Sequence, residues 1–209
     1  MPQITQGIRS ILSIPLFYSL FQKILGQNRA YNILIKNYLR PSIGDRILDI
    51  GCGPADLLSY LPQVEYIGFD ASEKYISDAK KRYGNRGTFI CELVTSDNLT
   101  YREYFDIVVV FGVLHHLDDL EAEKLFKLAH TALKPGGRLV AVENCYTENQ
   151  SPIARWIISK DRGQNVRDEK GYLNLAYNLF PPPHTSCNIR HDLLRIPYTH
   201  IIIECIKTQ

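Results

Sequence analysis

The sequence predicts an α/β fold, a doubly wound and mainly parallel seven-stranded sheet that ends in an antiparallel hairpin. Three observations predict it. Between residues 41 and 145, short apolar runs alternate with helical patterns, which is the rhythm of βαβ units. Residues 105–111 (FDIVVVF) are apolar almost throughout, as a central parallel strand buried on both faces should be. Residues 186–194 and 199–207 are typical of two strands joined by a turn.

Length and composition suit one compact domain with a helical appendage. The chain has 209 residues, of which 45% are hydrophobic, so a sizeable core can be buried. Lys and Arg number 24 and Asp and Glu number 22, a near-neutral balance that predicts no nucleic-acid partner. The five cysteines form no C-x-x-C pair, so we expect no disulfide framework and a reducing, cytoplasmic location.

Residues 1–40 are predicted to form helices that act as a lid. Their most apolar stretch, residues 11–21, is far shorter than the ~20 residues that a membrane span needs. A buried or lid helix is favoured over a secretion signal, and contact with a membrane surface is a minority alternative. Arg40 precedes Pro41, which ends the helical region. The predicted organisation is a helical lid at 1–40, an α/β core at 41–145, and an insertion with the hairpin that completes the same domain at 146–209.

The core contains two helices with clear start signals. Ser72 is predicted to cap the first, and Asp118 with Glu121 resembles a capping box for the second, expected over residues 118–133. The Lys-Pro-Gly-Gly run at 134–137 stops that second helix. The expected parallel strands of the core are residues 46–50, 65–70, 88–92, 105–111 and 138–142.

A glycine turn and an acidic residue indicate a nucleoside ligand. Gly51 and Gly53 follow the first strand and allow the backbone to approach a ligand closely. Asp70 ends the second strand, where a carboxylate can accept both hydroxyls of an adenosine ribose. Alone, either feature could be an ordinary turn. Pro54 and the missing third glycine disfavour a nicotinamide dinucleotide, because its pyrophosphate needs free amides at the helix start.

At these residues the chain resembles the class I S-adenosylmethionine-dependent methyltransferases. The segments that carry the resemblance are LDIGCGPAD, GFDAS, FDIVVVFGVLHHL and LKPGGRLV, in the family's order and over about residues 40–145. The resemblance implies a Rossmann-like fold and S-adenosyl-L-methionine as the cofactor. It also implies that Gly51 and Gly53 contact the methionine part, that Asp70 holds the ribose diol, and that Asp49 orients the loop or reaches the cofactor's amino group through water.

The remaining cofactor contacts implied by the resemblance lie on the third and fourth strands. Adenine is expected against Glu92 and Leu93, the carboxylate accepting from the exocyclic amine and the Leu93 amide reaching a ring nitrogen. Asp97 is the alternative to this pair. Phe111, at the end of the fourth strand, is the last expected contact.

The acceptor side is expected where the fourth strand ends, at the carboxyl edge of the sheet. His116 is the candidate for positioning or deprotonating an acceptor, whereas His115 is expected to cap or pack the helix start. The other histidines lack metal-ligand spacing, so no metal is expected. The basic residues of the insertion are offset by acidic neighbours and are expected on a solvated face; they are Arg155, Lys160, Arg162, Arg167 and Lys170.

The sequence therefore predicts a methyltransferase that moves a methyl group from S-adenosyl-L-methionine to a small-molecule or lipid-like acceptor. A protein or RNA methyltransferase is the first alternative, disfavoured because the chain has no N-P-P-Y motif and no strongly basic patch. A non-catalytic cofactor-binding module is the second. No nucleic-acid partner is expected.

Overall fold

Seven strands form a single sheet in the order β3-β2-β1-β4-β5-β7-β6 in the computed structural model, which describes residues 26–208. Strands β1 to β5 run parallel, β7 is antiparallel to β5, and β6 is antiparallel to β7. The predicted doubly wound sheet with a terminal antiparallel hairpin is confirmed. The strands are β1 Arg46–Ile50, β2 Glu65–Phe69, β3 Thr88–Ile90, β4 Phe105–Phe111, β5 Leu133–Asn144, β6 Thr185–Arg190 and β7 His200–Ile206.

Five α-helices and several short helical turns surround the sheet in the described part of the chain. The predicted caps are confirmed: the Ser72 side chain accepts from the Tyr75 amide, and Asp118 and Glu121 form a reciprocal capping box. The helices are α1 Gln27–Leu34, α2 Glu73–Tyr83, α3 Asp119–Ala132, α4 Pro152–Ser159 and α5 Glu169–Tyr177. A π-helical turn, Ile35–Leu39, continues α1, and 3₁₀ turns cover Asp56–Tyr60, Gly84–Arg86 and Leu114–His116.

Helices cover both faces of the sheet. Successive side chains of the central strand β4 point to opposite faces, so they pack into two separate apolar clusters. Val108 and Val110 belong to one apolar cluster, which includes side chains of α3 and α5. Ile107 and Val109 belong to the other, which includes side chains of α1 and α2. Strand β4 therefore has no solvated face, which explains its continuous apolar sequence.

Several element boundaries differ from the sequence prediction. Strand β5 begins at Leu133, five residues early, because backbone hydrogen bonds of 2.8 and 2.9 Å link Gly136 and Gly137 to Lys207. Strands β2 and β3 end at Phe69 and Ile90, earlier than predicted. The hairpin strands are also shorter, and a loop at 191–199 joins them.

The N-terminal helix packs on the sheet. The Arg138 guanidinium donates a 2.9 Å hydrogen bond to the Leu39 carbonyl, and Arg40 pairs with Glu204 at 2.5 Å. The Tyr31 ring lies 4.9 Å from that of Tyr60, just beyond the glycine turn. The apolar stretch at 11–21 lies outside the described residues, and a lid role for it stays a prediction. Over residues 26–208, no helix combines the length and the apolar character that crossing a bilayer requires.

Candidate active site

The glycine turn after β1 forms a cradle that is closed on one side and open on the other. Gly51 has a φ of +74°, and a Cβ added there would come within 2.4 Å of a Val113 methyl group. Gly53 has a φ of +55°, and an added Cβ there meets no atom within 4 Å. Ala55, where the related motif often has a third glycine, also adopts a left-handed φ of +57°. The backbone at Gly53 is therefore accessible to a ligand.

Asp70 lies at the rim of this cradle and joins two segments of it. One carboxylate oxygen accepts a 2.9 Å hydrogen bond from the Gly53 amide, and the other accepts a 2.8 Å bond from the Ser72 amide. Partial burial raises the pKa of Asp70, although the two amide bonds counteract this effect. Each oxygen of a carboxylate has a second lone pair, so the group can still accept hydroxyl protons from a ribose.

Asp49 lies beneath the turn and is only 3% exposed. The Tyr66 hydroxyl donates a 2.6 Å hydrogen bond to its carboxylate. Burial raises the pKa of Asp49 to about 7; the Tyr66 bond opposes the shift, and the charge of Asp70 adds to it. This placement fits the predicted role of orienting the loop.

The loop after β3 contains the residues predicted to meet adenine. Glu92 and Leu93 are exposed, and the Asn98 side-chain amide donates to the Glu92 carboxylate at 2.8 Å and to the Leu93 carbonyl at 2.9 Å. The Asn98 oxygen accepts from the Thr95 amide at 2.7 Å. The sequence analysis did not single out Asn98, which holds this loop together. Contact of Glu92, Leu93 or the exposed Asp97 with adenine stays a prediction.

A buried carboxylate fixes the turn at the end of β4. Phe111 is half-buried at the last position of the strand, where it is predicted to meet the cofactor, and Gly112 follows with a φ of +68°. Glu143, 1% exposed on β5, accepts hydrogen bonds from the Val113 amide at 2.8 Å and the Leu114 amide at 2.7 Å. Sequence reasoning missed Glu143, because a single acid within an apolar strand carries no local signal of its partners.

His115 connects this turn to the insertion. Its Nδ1 lies 2.6 Å from the Glu143 carboxylate, and its Nε2 lies 3.1 Å from Asp161. Burial alone would lower the pKa of His115, but the hydrogen bonds to Asp161 and Glu143 outweigh it and raise the pKa to about 10. A Cβ at Gly163 would come within 2.0 Å of the His115 ring, so only glycine fits beside it. His115 is thus a buried imidazolium clamped between two carboxylates.

His116 is half-buried, and its ring centroid lies 4.1 Å from that of His115. Burial and the neighbouring imidazolium lower the pKa of His116 to about 4, so the ring is neutral at physiological pH. Its buried Nδ1 has no hydrogen-bond partner among residues 26–208. The side-chain atoms of His115, His116 and Asp161 that could bind a metal lie within 4.8 Å of one another. The ion pairs of His115 with Glu143 and Asp161 already explain why His115 and Asp161 lie close together.

Arg167 fastens the insertion to the same turn. Its guanidinium donates 2.9 Å hydrogen bonds to the carbonyls of Leu114 and Leu117 and pairs with Asp119 at 2.7 Å. The side chain is only 11% exposed. The expectation that Arg167 lies on a solvated face is therefore wrong, because its guanidinium donates to backbone carbonyls in and just after the 3₁₀ turn.

Comparison with known proteins shows which proteins this chain resembles. The family model described as Methyltransferase domain matches residues 47–137. An uncharacterized methyltransferase of Synechocystis sp. is 30% identical over 121 residues, which cover 56% of this chain and 55% of that protein. A 2-phytyl-1,4-naphtoquinone methyltransferase of Synechococcus elongatus is 23% identical over 201 residues, which cover 86% of this chain and 83% of that protein. The chain thus spans about half of one curated relative and most of the other.

A solved structure shares this fold. An S-adenosylmethionine-dependent methyltransferase from Methanosarcina mazei matches with a TM-score of 0.64 over 84% of this chain and 97% of that chain, at 20% identity. This likeness shows the fold. The family match includes the cradle and the β4 turn, and it favours S-adenosylmethionine over a nicotinamide dinucleotide as the ligand.

Proposed function

We propose that this chain, which belongs to the class I S-adenosylmethionine-dependent methyltransferase family, transfers the methyl group of its cofactor to a small-molecule or lipid-like acceptor. The observation that carries the proposal is the open cradle at Gly53, with the Asp70 carboxylate on its rim and the β4 turn beside it. Val113 contacts the glycine turn, and His116 follows three residues later. The cofactor cradle and the candidate acceptor group therefore belong to adjoining turns.

Some residues of the site would bind the cofactor, and others would position the acceptor. When bound, S-adenosylmethionine supplies an electrophilic methyl group for an in-line displacement. The Gly53 backbone permits close approach, and Asp70 accepts from the ribose hydroxyls. His116, neutral and with an unpartnered Nδ1, can position an acceptor through a hydrogen bond, whereas a pKa of about 4 makes it a weak base for removing a proton. The hydrogen bonds from Arg167 to the Leu114 and Leu117 carbonyls hold the insertion against the site and help to exclude water.

A small or lipid-like acceptor is favoured by two observations. The relative that aligns over most of this chain is named for a phytyl-substituted quinone. The net charge of +2 offers little attraction to a polyanionic macromolecule. Protein or RNA methylation and cofactor binding without turnover are the alternatives that an experiment must separate.

The test is transfer of label from methyl-labelled S-adenosylmethionine to extracts of the source cells. The extract is divided into lipid, water-soluble small-molecule and macromolecular fractions before incubation with the purified chain. Label in either of the first two fractions supports the proposal, and label in protein or RNA contradicts it. Cofactor binding by calorimetry without label in any fraction would identify a non-catalytic module. Asp70→Ala serves as the control with weakened cofactor binding.

A further inference from the structure

Helix α4 exposes large apolar side chains that nothing in the described structure covers. Trp156 is 63% exposed and Ile153 is 59% exposed, although both are bulky hydrophobic residues. On the opposite side of the helix, Ala154 and Ile158 are buried and anchor it to the domain. The helix is therefore amphipathic, with its outer apolar face turned to solvent.

Helix α4 lies at the same edge of the sheet as the candidate active site. Helix α4 follows the carboxyl end of β5, and Asp161, two residues past the helix, bonds to His115 of the β4 turn. The exposed Trp156 is thus carried by the segment that borders the acceptor side.

The charges around the apolar face favour an anionic partner. Arg155 and Lys160 are exposed on or next to the helix, and the Arg155 guanidinium lies 5.1 Å from the centre of the Tyr146 ring. Between residues 147 and 163 the three cations Arg155, Lys160 and Arg162 outnumber the two acids, Glu148 and Asp161, and Asp161 is paired with His115. An exposed tryptophan flanked by cations is the pattern of a helix lying in the headgroup region of a bilayer.

We propose that α4 docks the protein on the surface of an anionic lipid bilayer. Trp156 and Ile153 enter the headgroup region, and Arg155 and Lys160 pair with lipid phosphates. The inference deepens the proposed function, since a lipid-like acceptor could then pass from the bilayer to the site. It does not depend on turnover, and it is tested without any acceptor.

Trp156 supplies the measurement, because it is the chain's one tryptophan. The full-length protein is titrated with vesicles of phosphatidylcholine alone and with vesicles of equal parts phosphatidylcholine and phosphatidylglycerol. We expect the tryptophan emission to shift to the blue with the anionic vesicles only. Added salt should weaken the binding, since the attraction between surface charges is screened.

Two matched substitutions assign the binding to α4. Ile153→Asp should reduce the partition coefficient roughly fivefold or more, because it adds a negative charge within the docking face. Ile43→Asp makes the same change at a residue that is 80% exposed and precedes β1, at the opposite edge of the sheet. It should leave binding within about twofold of the unmodified protein. Both variants keep Trp156 as the probe.

Three results would overturn the proposal. One is an unchanged emission spectrum with anionic vesicles at saturating lipid. Another is a blue shift that depends on protein concentration in the absence of lipid, which would show that a second copy covers the face. The third is equal weakening by Ile153→Asp and Ile43→Asp, which would mean that overall charge, and not α4, governs the binding.

Discussion

Tyr66 and Asp49 form a 2.6 Å hydroxyl–carboxylate hydrogen bond directly beneath the glycine turn. The two residues lie on the adjacent strands β1 and β2, and both are buried. The bond couples the core of the sheet to the glycine turn that is proposed to bind the cofactor. It also retains a carboxylate whose pKa of about 7 makes its charge sensitive to pH.

Asp49→Asn should flatten the pH dependence of stability between about pH 4 and pH 7. The pKa of Asp49 rises from 3.8 to about 7 on folding, so in this window the folded state holds a proton that the unfolded state has lost. The free energy of unfolding therefore falls as pH rises, by at most ~1.4 kcal/mol per pH unit from this group. Denaturant unfolding at several pH values tests this, and equal slopes in both proteins would contradict it.

Asp70→Ala should weaken S-adenosylmethionine binding at least tenfold. The substitution removes the ribose acceptor and also frees the Gly53 amide from its anchor, and loss of a charged acceptor costs ~1.5–3 kcal/mol. Ser72→Ala is the matched control, because it removes only the cap of α2 and should cost ~1 kcal/mol of stability without reducing affinity. Calorimetric titration decides, and unchanged affinity in folded Asp70→Ala would show that the ribose is held elsewhere.

Gly53→Ala should abolish cofactor binding while the domain stays folded. The new methyl group meets no protein atom within 4 Å, so it would occupy the space that the cofactor needs. Gly44→Ala is the control, since Gly44 also has a positive φ and an open Cβ position but lies in the turn before β1. Both variants should lose ~1 kcal/mol of stability from backbone strain. Equal cofactor affinity in the two variants would argue against the cradle.

The elements that local sequence patterns specify were predicted closely. Strands β1 and β4 have the predicted bounds, because their apolar runs end at glycine. Helix α3 differs by one residue at each end, because the capping box of Asp118 and Glu121 defines its start. The juxtaposition of Gly53 and Asp70 could also be anticipated, since a glycine turn and an acidic strand end are local signals.

The features that were missed depend on residues far apart in the sequence. The early start of β5 comes from pairing with Lys207, and no pattern near Leu133 announces it. The same is true of Glu143 and Asp161, which meet His115 from separate segments. The sequence analysis favoured a packing role for His115, but the buried ion pairs that give it this role emerge only when three segments fold together.

His115→Gln should lower stability by about 3 kcal/mol at neutral pH, because it leaves the buried Glu143 carboxylate and the half-buried Asp161 carboxylate without a cation. The pKa of His115 rises from 6.5 to about 10 on folding. Its contribution is therefore full below about pH 6.5 and is lost as pH rises through about 10. Melting temperatures from neutral to alkaline pH should fall more steeply in the unmodified protein than in the variant. Parallel curves would contradict the ion-pair assignment.

Deleting residues 1–25 should spare folding and cofactor binding but reduce methyl transfer at least tenfold, if they form the proposed lid. The deletion leaves α1 and the Arg40–Glu204 pair intact, so the described contacts of the N-terminal helix remain. A lid excludes water and shapes the acceptor pocket. Melting, cofactor affinity and turnover are measured on one preparation. Unfolding of the truncated chain, or full turnover, would each contradict the lid.

The position of β7 between β5 and β6 fixes an order of assembly during synthesis. Strand β6 is translated first, yet its sheet neighbour is β7, so it cannot join the sheet until residues 200–206 have left the ribosome. Until then the edge of β5 also lacks the antiparallel partner that covers it. A nascent chain arrested in the loop at 191–199 would therefore carry an open sheet edge, the kind of surface that recruits chaperones or other chains.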